Sequence, residues 1–107
     1  MRARERKAGG RGAAAETVVL RLYVAGTAPN SLRAIANLRA VCEEYLAGRS
    51  HVEIVDALEE PLRTLDDGVL VTPTLLKLAP GPVRTLIGDL SDRASVLLAI
   101  GETEATR

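Results

Sequence analysis

The stretch VTPTLLKL, residues 71–78, sets a proline inside an apolar run that otherwise has the composition of a buried strand. Proline has no backbone N–H to give to a sheet ladder and is normally excluded from central strands. Pro73 therefore restricts what this run can be. It opens a strand, or it lies at a sheet edge. The next residues, APGPV, form a turn, and VRTLIG after them reads as another strand. That turn is too short for a crossover helix, so the two strands form an antiparallel hairpin.

Upstream, TVVLRLYVAG (17–26) is rich in Val, Leu and Tyr. By the two-residue period Val18, Leu20, Leu22 and Val24 share one face. Val19, Tyr23 and Ala25 make the other face apolar as well, interrupted by Arg21, which is the pattern of a central strand covered on both sides. GTAPN breaks it, and Asn30 is a credible N-cap for the helix SLRAIANLRAVCEEYLAG. Ile35, Leu38, Cys42 and Tyr45 recur at helical spacing as its core stripe, and Gly48 suits its end. HVEIVDAL (51–58) alternates as a second strand. EEPLRTLDDG reads as a short helix, with Pro61 in its first turn and Gly68 at its stop. DLSDRASVLLAIG closes the domain as a helix capped by Asp89 or Ser91, with Leu90, Ala94, Leu97 and Leu98 facing a core. The order is strand, helix, strand, helix, strand, strand, helix, and its first strand–helix–strand is a right-handed parallel unit.

Bulk properties narrow the function. The chain has 107 residues, enough for one small domain with one core. Formal net charge is zero, whereas nucleic-acid binders usually carry a basic excess. No apolar run approaches the roughly 18 residues that cross a bilayer, and the N-terminus lacks the apolar region of a signal peptide. No nucleic acid and no membrane partner is expected, and the default compartment is the cytoplasm. Residues 1–16 carry five Arg or Lys and then Gly and Ala without periodicity, so they read as a disordered basic tail. Residues 17–101 form the domain, and 102–107 a second disordered tail.

Three isolated features carry little chemistry. His51 is the only histidine, which makes it a poor start for a metal site. Asp56 and the Glu59–Glu60 pair read as a solvated face. GTAPNS lacks the lysine pattern of a phosphate loop.

The element order and the Thr-Pro-Thr that opens the hairpin resemble the thioredoxin fold. That resemblance implies a cis peptide bond before Pro73; the other reading is a trans proline where an edge strand begins. Thioredoxin chemistry needs a Cys-x-x-Cys pair at the start of the first helix, where spare amides and the helix dipole stabilise a thiolate. This chain has GTAPNS there. Cys42, the only cysteine, falls more than two turns into the helix on the apolar stripe and reads as a core filler. The fold remains without the redox pair, which points to a binding module.

LRLYVAGTAPNSLRAIANL and VTPTLLKLAPGPVRTLIGDLSD, at the spacing they have here, resemble the KaiB family of circadian-clock proteins from about residue 18 to 100. The resemblance implies a non-enzymatic protein that needs no cofactor. It implies a role in clock or stress timing, by binding the N-terminal ATPase ring of a KaiC-type hexamer and regulating its cycle through fold switching. KaiA or a KaiC-binding histidine kinase are further partner candidates on the same ground. One fold implied by the family is a thioredoxin-like βαβαββα sandwich. The alternative is a βαββααβ ground state that self-associates to dimers or tetramers. Arg33, Lys77 and Arg84 fall on positions that carry a functional basic patch in the family. The fold-switch segment contains Ala94, Leu97, Leu98, Ala99 and Gly101, and it can be read as a helix by its Ala and Leu or as a short buried strand. Relatives often have a lysine where Gly68 stands here beside Asp66 and Asp67, and a glycine where Ala99 stands. Two competing readings are a detached thioredoxin-like sensor domain of a KaiC-binding histidine kinase and a thioredoxin-fold redox enzyme.

Overall fold

A computed structural model of the chain describes residues 16–101. The two tails, apart from Glu16, lie outside the described residues. Seven elements follow in order: β1 (Val18–Val24), α1 (Pro29–Val41), β2 (Ser50–Asp56), α2 (Pro61–Asp66), β3 (Thr74–Ala79), β4 (Arg84–Ile87) and α3 (Arg93–Ile100). The order is βαβαββα, the thioredoxin-like arrangement and not the alternative βαββααβ. The sheet runs β2-β1-β3-β4, with β1 parallel to β2 and antiparallel to β3, and β4 antiparallel to β3.

Strand β1 is the centre of the molecule because both its faces are covered. Val18, Leu20, Leu22 and Val24 join the larger core with Ala34, Leu38, Val41 and Leu46 from the first helix and Val96, Leu97 and Ile100 from α3. Tyr23 points the other way, into a smaller core with Val55, Val69 and Leu76. Burying an aliphatic side chain stabilises by about 1.5–3 kcal/mol each, so the larger, mostly aliphatic layer dominates the packing.

Helix α1 starts earlier than its sequence suggests. Ala28 occupies the N-cap, Pro29 takes the first turn, and no side chain caps the backbone. Asn30 is already helical. Ser31 is buried instead, and its Oγ accepts from the Ala25 N–H at 2.9 Å, tying the helix start to the end of β1. The helix continues through Val41 as a wider π-helical turn, Cys42–Leu46, and ends at Ala47 in the left-handed region. The buried stripe is accordingly Ala34, Leu38, Val41, Cys42 and Leu46, while Ile35 and Tyr45 pack only partly against it.

Pro73 stands at the entrance of β3 and not in its middle. It is buried, the Thr72–Pro73 bond is cis, and the strand begins one residue later. The Ala79–Pro80 bond, at the far end of β3, is also cis. Helix α3 is capped by Asp92, which accepts from the Ser95 N–H, and not by Asp89 or Ser91. Its buried residues are Val96, Leu97 and Ile100; Ala94 and Leu98 face solvent. Leu90 and Leu97 are buried as expected, and Val96 and Ile100 stand in the core in place of Ala94 and Leu98. Gly101 ends α3 at φ 90°, a conformation that glycine adopts without strain.

Candidate docking surface

Helix α2 is inverted relative to an ordinary amphipathic helix. Thr64 is its only buried residue, whereas Leu62 is 76% exposed and Leu65 61%. Polar groups hold it to the sheet. Arg21 projects from β1 and donates through Nε to Glu53 Oε1 at 2.9 Å and through Nη1 to Asp67 Oδ2 at 3.0 Å. The Tyr23 hydroxyl donates to the same Asp67 oxygen at 2.5 Å. Arg63 Nη2 donates to Glu53 Oε2 at 2.7 Å. Arg21, the interruption in an apolar strand, is thus the anchor for the segment that covers it.

The electrostatics follow from these contacts. Burial, then the bond to Asp67, pushes the Tyr23 phenol up to about 12. The bonds from Tyr23 and Arg21 hold Asp67 below the ordinary carboxylate range, against the opposing effect of burial. Glu53 is also lowered, chiefly by its hydrogen bonds from Arg63 and Arg21. All of these groups are charged or neutral in the state that their partners require at neutral pH.

With its polar side turned inward, α2 presents leucines outward. Leu58 in the preceding turn and Leu70 and Val71 in the following one are exposed too, Leu70 by 85%. Leu58, Leu62 and Leu65 recur at helical spacing. Leu58 also lies over the β1–α1 turn, since a Cβ on Gly26 would stand 3.5 Å from its Cδ1. Exposed aliphatics clustered along one short segment of a small domain point to an interaction surface. The sequence identifies EEPLRTLDDG only as a short helix and assigns its leucines to no face, so this surface is missed. The available signal was the polar set Arg21, Arg63 and Asp67, which has to face something.

The basic residues lie on the other side of the sheet. Lys77 pairs with Arg84 across the β3–β4 hairpin. Lys77 is only 7% exposed, and its Nζ donates to the Pro80 carbonyl at 2.6 Å. Arg84 is exposed. Arg33 donates to Asp89 Oδ2 at 3.3 Å, beyond the opposite end of β4. The four residues of β4, Arg84 to Ile87, span three steps or about 10 Å between Arg84 and the end nearer Asp89. Lys77 and Arg84 are therefore neighbours, and Arg33 stands apart from them. Cys42 is buried, and burial pushes its thiol up, away from the reactive thiolate.

The KaiB domain family model matches residues 21–101. The chain belongs to the KaiB family. It is 47% identical over 88 residues to a protein named circadian clock oscillator protein KaiB from Prochlorococcus marinus, covering 82% of this chain and 84% of that one. Among solved structures it is similar to the N-terminal domain of Synechococcus elongatus SasA, with a TM-score of 0.66 at 26% identity over 78% of this chain and 81% of that one. Mitochondrial thioredoxin 3 of Saccharomyces cerevisiae gives the same TM-score at 15% identity, covering 85% of this chain and 84% of that one, and shows the shared fold alone. Within this KaiB-family fold, no helix among the described residues is long and apolar enough to cross a membrane.

Proposed function

We propose that this chain is a non-enzymatic KaiB-type timing module that docks on the N-terminal ATPase ring of a KaiC-type hexamer in its thioredoxin-like state. The observation that carries this reading is the outward row Leu58, Leu62, Leu65 and Leu70, held in place by polar contacts beneath it. A segment that turns its polar residues to the sheet and its leucines to solvent supports a docking role. Family membership supplies the partner class. Cys42, buried and far from the first turn of α1, gives no support to thioredoxin-type redox chemistry. The sensor-domain alternative shares the fold, but 47% identity to a KaiB protein against 26% to the SasA domain favours the KaiB role.

In this proposal Arg84, and Arg33 where it is paired with Asp89, face a second partner on the opposite side, such as KaiA or a KaiC-binding kinase, with Lys77 securing the hairpin turn. The test is sedimentation of the chain with a KaiC-type hexamer. Replacing Leu62 with Ser should weaken the complex about thirtyfold, the scale of a central interface residue. Unchanged affinity of a folded Leu62→Ser protein would refute the α2 surface as the docking site.

A further inference from the structure

The leucine row over α2 is flanked by carboxylates. Glu59 precedes the helix, Glu60 occupies its N-cap and Asp66 its last residue, all three exposed. Glu59 and Asp66 take part in no ion pair among the described residues, and Glu60 receives only a 3.4 Å contact from Arg63. The arginines nearby are spent: Arg21 on Glu53 and Asp67, Arg63 on Glu53. Glu59 and Asp66 therefore stay uncompensated among the described residues. An apolar centre ringed by such carboxylates is complementary to an apolar patch ringed by Lys or Arg.

We infer that the protein surface which docks on α2 carries basic residues around an apolar centre, so that Glu59 and Asp66 select the partner. This rests on the proposed docking role of α2 and adds the sign of the partner's rim. It also assigns the salt dependence of that contact to the acidic face rather than to Arg33, Lys77 and Arg84. Rim charges act mainly on encounter and on rejection of wrong partners, and salt screens them, while the apolar centre holds the complex.

The experiment measures affinity of the full chain for the KaiC-type hexamer at low and at high salt. It compares wild type, Leu62→Ser, Glu59→Lys and Asp66→Lys, each first checked for an unchanged far-UV circular dichroism spectrum. Each charge reversal should weaken binding about fivefold near 50 mM salt and lose most of that effect near 0.5 M, where screening acts within a few ångströms. Leu62→Ser should weaken binding at both. If Leu62→Ser weakens binding and both reversals leave it unchanged or tighten it at low salt, the basic rim is refuted and the docking surface stands. Failure of Leu62→Ser to weaken binding refutes the docking role of α2 and this inference with it.

Discussion

Asp67 accepts hydrogen bonds from Tyr23 and Arg21 through a single oxygen, so one carboxylate joins β1 to the end of α2. Its folded pKa lies below the usual value, so its contribution to stability is present above the unfolded pKa near 4 and is lost as pH falls through the folded one. Glu53 acts in the same direction. Asp67→Asn should therefore lower stability at pH 7 and flatten its decline between about pH 5 and 2, measured by urea denaturation across that range. Tyr23 has the opposite sign. Its raised pKa means that stability is complete below about pH 10 and falls as the phenol ionises at about 12. An ultraviolet titration has only Tyr23 and Tyr45 to report and no tryptophan to obscure them. The late step near pH 12 should vanish in Tyr23→Phe; a step that persists would place that ionisation on Tyr45. At Cys42, replacement by Ala should cost about 1 kcal/mol of stability and leave partner affinity unchanged, because the thiol is buried filler. Loss of affinity with the fold retained would overturn its assignment as a structural residue.

At the scale of elements, the strands were the most legible part of the sequence. Alternation in β1 named the buried set Val18, Leu20, Leu22 and Val24, because period two leaves little freedom once both faces are apolar. Pro73 and the short turn after β3 specified the hairpin. The helices were legible in number but not in phase. Pro29 moved the start of α1 ahead of Asn30, and Asp92 displaced Asp89 and Ser91 as the cap of α3; the buried sets also include Ala34, Val41 and Leu46 on the first helix and Val96 and Ile100 on α3. The candidate site was the least legible, since α2 reverses the usual assignment of leucine to the interior. That reversal has a thermodynamic signature. Leu62→Ser should change folding stability by less than about 0.5 kcal/mol, as expected of an exposed position away from caps and core. Leu97→Ala, on the buried side of α3, should cost about 2–5 kcal/mol. Chemical denaturation of the two variants compares them directly. Equal costs would mean that Leu62 is packed, and that α2 is not turned outward in solution.

For the whole molecule, the issue is how much of the chain rests in the thioredoxin-like fold without a partner. That fold has 94–100 in α3, with Leu97 and Ile100 in the larger core and Gly101 as the left-handed cap. In the βαββααβ alternative that the family resemblance implies, the fold-switch segment leaves α3, so on that reading residues of α3 set the balance between the two. Ala99 lies inside the helix, where alanine is favoured over glycine by about 1 kcal/mol. Gly101 lies at its end and is not a helix-interior liability, so it does not offset that gain. A difference of about 1 kcal/mol changes the ratio of two near-equal states roughly fivefold. The free protein is therefore expected to populate the thioredoxin-like monomer substantially, and its association with a KaiC-type ring to need little prior conversion. Ala99→Gly should reduce the monomer fraction, raise any self-associated fraction and slow binding by up to about fivefold. Sedimentation gives the fractions, and NMR secondary shifts at 94–100 report helix or strand. A wild-type protein that is wholly self-associated, with 94–100 in a strand, would show that the other fold is the resting state and that one alanine does not decide the balance.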